Sequence, residues 1–186
     1  YEIFNSEYDE PALGRLELET ALRKVVESKQ LRVHYQPMVS MTSGNVVAVE
    51  ALVRWEHPER GLLKAGEFVP MSERSGLVVT IGSWVLEEAC RQLRAWQDAA
   101  PATTPPTVWV NLSARQFQRA DIVTEVEQLL AKYEIQPSCL GLEITESMLV
   151  EDIDMAAAVL HALKALGVQL SIDDFGTGYA SLSYLR

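Results

Sequence analysis

From Val46 onward, short apolar runs alternate with longer amphipathic segments, and this alternation limits the chain to a parallel-sheet architecture. Val46 to Trp55 predicts a strand buried on both faces. Leu77 to Ala99 predicts a long helix, with Ile81, Val85, Ala89 and Leu93 at steps of four. A strand over Val108–Leu112, a helix capped by Asp121 and running to Tyr133, and a strand over Leu140–Ile144 follow. Next come a helix over Asp154–Leu166 closed by Gly167, a strand over Val168–Ile172, a tight turn from Asp174 to Gly178 and a further helix from Tyr179. Ahead of this series, Leu13 to about Ser28 predicts an amphipathic helix, and Leu31 to Gln36 a half-buried strand that Pro37 interrupts. The turn at Ser43-Gly44 makes the first two strands antiparallel neighbours. The polar stretch from Asn5 to Pro11 reads as part of a linker, residues 1–12, arriving from an upstream domain, with the domain proper at 13–186.

Two architectures use such βαβ units: an open doubly wound sheet and a closed barrel of eight strands. No G-x-G-x-x-G or G-x-x-x-x-G-K-[ST] follows any strand, which argues against dinucleotide and P-loop sites. Polar residues favour the barrel. Each parallel strand carries an oxygen-bearing side chain near its carboxyl end: Glu50, Asn111, Glu143, and Asp173 followed by Asp174. Sites in both architectures form at that end. Glu50 has the parity of Leu52 and Arg54, and Asp173 that of Gln169 and Ser171, so the last strand turns a polar edge to one side.

Carboxylates and a carboxamide, without a His or Cys cluster, favour Mg2+, Mn2+ or Ca2+ over zinc or copper. Adjacent acids such as Asp173-Asp174 suit two cations about 3.5–4 Å apart, the arrangement for in-line attack on phosphorus. Arg54 suits a phosphate oxygen. Each residue alone also fits a structural role. Glu50 fits as the partner of an arginine, Asn111 as a turn residue, and Glu143 with Thr145-Glu146-Ser147 as a helix-entry cap. A formal charge of −10 argues against a polymeric nucleic-acid partner but leaves room for a small anion bridged by metal. The two cysteines, Cys90 and Cys139, lack CxxC spacing and fit a reduced, cytoplasmic chain, in a parent open to membrane tethering.

The run Glu50-Ala51-Leu52-Val53-Arg54-Trp55 resembles the signature of EAL domains, the bacterial cyclic-di-GMP phosphodiesterases. The likeness continues through Tyr35-Gln36-Pro37, His57-Pro58, Glu67-Phe68-Val69-Pro70, Asn111-Leu112-Ser113, Gln116-Phe117, Glu143 to Ser147 and Asp173 to Gly178, across roughly Leu16 to Arg186. The resemblance implies a modified (β/α)8 TIM barrel with an antiparallel first strand, incomplete at the C-terminal side in this chain. It implies metal-dependent opening of one phosphodiester bond of cyclic-di-GMP to give linear pGpG. It assigns Glu50, Asn111, Glu143 and Asp173 to one Mg2+ or Mn2+ and Asp173 with Asp174 to a second, with Ca2+ as an inhibitory or substitute ion. Gln36, Leu52 and Arg54 become substrate contacts, and Glu146 steadies the loop after the two aspartates. A homodimer and an upstream diguanylate cyclase-like or sensor domain are the expected partners. The family's later Lys in a K-I-D segment, its further metal-linked Glu and its Q-G segment have no counterpart before Arg186. The alternative function is a catalytically inactive module that binds cyclic-di-GMP or a regulatory partner.

Overall fold

The computed structural model describes residues 17–150 and 152–173. Residues 17–22 are helical (α1), and the chain then winds through turns to Lys29, whose φ of 55° ends the segment. The predicted helix is therefore shorter within the described residues, although Leu18, Leu22 and Val25 are buried as its pattern requires. The linker at 1–12, the turn at 174–178 and the helix from Tyr179 lie outside the described residues.

Strands β1 (Leu31–Val39) and β2 (Val46–His57) form an antiparallel hairpin. β1 runs straight through Pro37, which pairs with Val49. Proline is tolerated there because, among the described residues, β1 lies at the edge of the sheet, where a missing N–H breaks no inner ladder. A short strand β3 (Gly61–Lys64) folds back on the end of β2, and helix α2 (Ala65–Ser75) follows it. These two elements were not expected from the sequence. Pro70 inside α2 hides the helix, and Gly61 at φ 70° supplies the turn. Glu67 reaches back to accept from the Lys64 backbone N–H at 2.6 Å and closes the first turn of α2.

Helix α3 (Val78–Ala99) leads to β4 (Thr107–Asn111), a one-turn helix α4 (Ala114–Phe117) and α5 (Ile122–Lys132). Asp121 sits at the cap position of α5 but makes no capping bond, because both its oxygens accept from the Arg119 guanidinium instead. A 3-10 turn (Pro137–Cys139) enters β5 (Leu140–Thr145); α6 (Ser147–Val150), α7 (Ile153–Leu166) and β6 (Gln169–Asp173) complete the described chain. Asp152 caps α7 through the Met155 N–H at 3.0 Å, and Gly167 closes it at φ 93°.

The sheet runs β1-β2-β4-β5-β6, with β3 attached to β2; β2, β4, β5 and β6 are mutually parallel and only the β1 and β3 pairings are antiparallel. Val49, Ala51, Trp55, Val108, Val110, Leu140, Leu142 and Ile144 are buried on one face, in one core with Ile81, Val85, Leu86 and Leu93 of α3 and Val126 of α5. Period-two alternation sends their chain neighbours to the other face. On that second face Trp109 folds its indole over Gly141, its partner on β5. A Cβ on Gly141 would lie 2.3 Å from Cε3 and 2.4 Å from Cδ2 of the indole, so no side chain fits under the ring. Gly141→Ala should therefore cost about 1–3 kcal/mol through overpacking, read as a lower midpoint in urea; an unchanged midpoint would show that the indole moves freely.

Candidate functional site

Register decides which of the polar residues meet. Gln36 pairs with Glu50, Glu50 with Trp109, Trp109 with Gly141, and Gly141 with Gln169, making one row across five strands. One pleat nearer the carboxyl ends, Asn111 pairs with Glu143 and Glu143 with Ser171. Asp173 lies level with Thr145, one pleat farther on. Paired residues point to the same side of a sheet. Gln36, Glu50, Leu52, Arg54, Asn111, Glu143 and Asp173 thus share the face opposite the helix-covered core.

Asn111 donates from Nδ2 to Glu50 Oε1 at 2.8 Å. This bond links strands 61 residues apart in sequence and leaves the amide oxygen and the second carboxylate oxygen as acceptors. Glu143 is half-buried between them and Asp173. Desolvation, with the negative charges of Glu50 and Asp173 added, pushes its carboxyl up to about 7. The capping role open to Asn111 is filled by another residue, and the arginine pairing open to Glu50 is not made with Arg54. Ser113 rather than Asn111 caps α4, taking the Gln116 N–H on its hydroxyl at 3.3 Å. Arg54 does not pair with Glu50; its Nη1 donates to the Val53 carbonyl at 2.8 Å. Glu146, directly after β5, is 3% exposed. Asp174 lies outside the described residues.

At the mouth end of β2 a cross-strand row of cations was not legible in the sequence: Arg32 pairs with Arg54 and Arg54 with Lys64. Arg32 has a counter-ion in Glu56 at 2.7 Å, whereas Arg54 and Lys64 have no ion pair among the described residues. Finding this row required β3, which the sequence reading missed. The face therefore carries acids from the middle of β2 to the carboxyl ends of β5 and β6, and positive charge four residues beyond Glu50 along β2 that has no ion pair among the described residues, a polarity suited to a phosphate ester held by metal.

Among the described residues, no group of three or more His, Cys, Asp or Glu side chains is already gathered closely enough to hold a metal ion. The donor chemistry nonetheless fits a hard divalent cation. The oxygen donors come from four strands, and the Glu143 carboxyl is raised first by burial and then by the charges of Glu50 and Asp173, which a cation would relieve.

A family model for the EAL domain matches residues 18–186. This chain belongs to the EAL domain family. It is 47% identical over 186 residues to the bifunctional diguanylate cyclase/cyclic di-GMP phosphodiesterase MucR of Pseudomonas aeruginosa, covering 100% of this chain and 27% of that protein. It is 40% identical over 183 residues to the cyclic di-GMP phosphodiesterase PdeR of Escherichia coli, covering 98% of this chain and again 27% of the relative. The chain thus spans about a quarter of the length of these curated relatives. The structure of the PaMucR phosphodiesterase in complex with c-di-GMP superposes with a TM-score of 0.86 at 48% identity, over 91% of this chain and 68% of that one. The EAL fold is a TIM-like barrel, and the antiparallel β1–β2 pair followed by parallel strands matches it.

The raised Glu143 carboxyl has a pH signature. An acid whose folded carboxyl titrates near 7, above its ordinary 4.5, destabilises the fold once it ionises, and the penalty grows as pH rises from about 4.5 to about 7. With a chelator present, Glu143→Gln should raise stability at pH 8 and make no difference at pH 4. The full shift corresponds to roughly 3 kcal/mol, and screening around a half-exposed group reduces this to about 1 kcal/mol. Thermal melts across that range would show it; a gain that does not depend on pH would assign the effect to packing instead.

Proposed function

We propose that this EAL domain hydrolyses one phosphodiester bond of cyclic di-GMP to linear pGpG, with Mg2+ or Mn2+ as cofactor. The observation that supports the reading is the shared sheet face of Glu50, Asn111, Glu143 and Asp173, in a chain 47% identical to a named bifunctional diguanylate cyclase/cyclic di-GMP phosphodiesterase. Glu50, Asn111, Glu143 and Asp173 would hold one cation, and Asp173 with Asp174 a second, with Ca2+ able to substitute or inhibit. Divalent cations bound there would supply Lewis acidity toward a phosphate oxygen and toward the attacking water.

The chain's own residues bind and orient. Asn111, fixed by its bond to Glu50, offers its amide oxygen to the cation. Gln36, level with Glu50, and Leu52, two residues along β2, line the ligand's floor. Arg54, free of carboxylate partners among the described residues, takes a phosphate oxygen. Glu146, buried at the end of β5, steadies the loop that carries Asp174. The reading extends to a cytoplasmic homodimer fed by an upstream diguanylate cyclase-like or sensor domain, in line with the bifunctional name of MucR. No described helix is long and apolar enough to cross a membrane.

The test is chromatography of nucleotides after incubating the full-length protein with cyclic di-GMP and Mg2+. The wild type should release pGpG. Glu50→Ala or Asn111→Ala should lower kcat by more than about 100-fold, beyond what outer-shell changes at a metal site cost. Arg54→Ala should act mainly on KM, raising it about tenfold or more, as loss of a charge-assisted hydrogen bond does. A folded, Mg2+-supplied wild type that binds cyclic di-GMP and releases no pGpG would replace this reading with that of a regulatory module.

A further inference from the structure

Gln116 follows closely on Asn111-Leu112-Ser113, and the proposed reaction gives it no part. Its side chain is nevertheless 1% exposed. It seats against α3 at Gly82, where a Cβ would fall 2.0 Å from Oε1, 2.3 Å from Cδ and 2.4 Å from Nε2. Only glycine leaves room for this amide.

The amide is fastened to the residue two beyond Asn111. Gln116 Oε1 accepts from the Ser113 backbone N–H at 3.3 Å and from its hydroxyl at 2.9 Å. The same hydroxyl accepts from the Gln116 N–H at 3.3 Å. On the other side, the Leu112 N–H donates to the Glu143 carbonyl at 2.9 Å. The backbone leaving Asn111 is therefore gripped in turn by β5 and by Gln116. One feature of this grip is costly: Gln116 Nε2 is buried without a hydrogen-bond partner among the described residues. A buried, unpaired donor lowers stability. Against that cost stand the two bonds that Oε1 accepts from Ser113, the reciprocal half of the α4 capping box, so the amide here holds Ser113 rather than merely filling space.

We propose that Gln116, seated on Gly82, is a positioning residue that holds the Asn111 carboxamide in the orientation a divalent cation requires. The inference rests on the reading of Asn111 as a cation ligand given above. Its mechanism is indirect: by fixing Ser113, Gln116 sets the exit of β4 and keeps Asn111 Nδ2 on Glu50, which presents the amide oxygen outward.

The experiment titrates Mn2+ alone into the full-length protein and follows free Mn2+ by electron paramagnetic resonance, counting the site that Asn111→Ala weakens. Gln116→Met should weaken Mn2+ at that site about tenfold or more, the scale of an outer-shell change. Its melting temperature in chelator should fall by no more than a few degrees, because the loss of the two Ser113 bonds is partly offset by removal of the unpaired Nε2. Gly82→Ala, which evicts the amide, should weaken Mn2+ likewise. In an Asn111→Ala background, Gln116→Met should change the Mn2+ affinity no further, because it acts through Asn111. If Gln116→Met binds Mn2+ as tightly as the wild type while Asn111→Ala does not, the positioning role falls and the cation reading stands. If the wild type has no Mn2+ site sensitive to Asn111→Ala, both fall. If Gln116→Met loses its fold, the amide serves the fold itself and the positioning role falls.

Discussion

Everything at the candidate site depends on cross-strand register. Parallel strands that alternate inward and outward bring residues together only if each strand enters the sheet at one fixed level, and a slip of one residue would send an acid to the apolar face. Here the register is held from behind. Trp55, Val108, Val110, Leu140 and Leu142 are all buried among helix side chains, so each strand is locked by its hydrophobic alternates. The acids gain their positions from residues that never touch them.

The other face carries the electrostatic consequence. Burial raises the Glu143 carboxyl most, and the negative charges of Glu50 and Asp173 raise it further. Local rules of stability are broken there, by gathered like charges on the acid side and by the Arg54–Lys64 pair on the basic side. Departures of this kind concentrate where a protein binds something of the opposite charge. The helix-backed core offsets them, and the Trp109 indole over Gly141 is close-packed in the row of Glu50, one pleat below Asn111 and Glu143.

Much of this was legible in the sequence because period-two patterns and strand-end acids are local signals. The antiparallel first pair, the parallel series and the shared parity of Glu50 with Arg54 all follow from residues close in the chain. What was not legible depended on distant partners. Pro37 reads as a break unless β1 is known to be an edge strand. Pro70 conceals α2, and without β3 the pairing of Arg54 with Lys64 is invisible. Asp121 has the composition of a cap, yet Arg119 two residues away outcompetes the backbone for it. The link between Gly82 and Gln116 crosses 34 positions and shows itself only as space that one glycine leaves open. The Asp174 turn and the chain beyond it lie outside the described residues, so their part in the site rests on sequence resemblance.

The central claim is that the acids of three strands and the Asn111 amide of a fourth form one cation site on the face opposite the core. Its most direct test is anomalous diffraction at the manganese edge from crystals of the full-length protein grown with Mn2+. The account predicts a peak about 2.0–2.4 Å from oxygens of Glu50, Asn111, Glu143 and Asp173 together, the range expected of hard cations on oxygen ligands. A well-ordered site with no peak, or a peak held by other residues while these four stay apart, would contradict it.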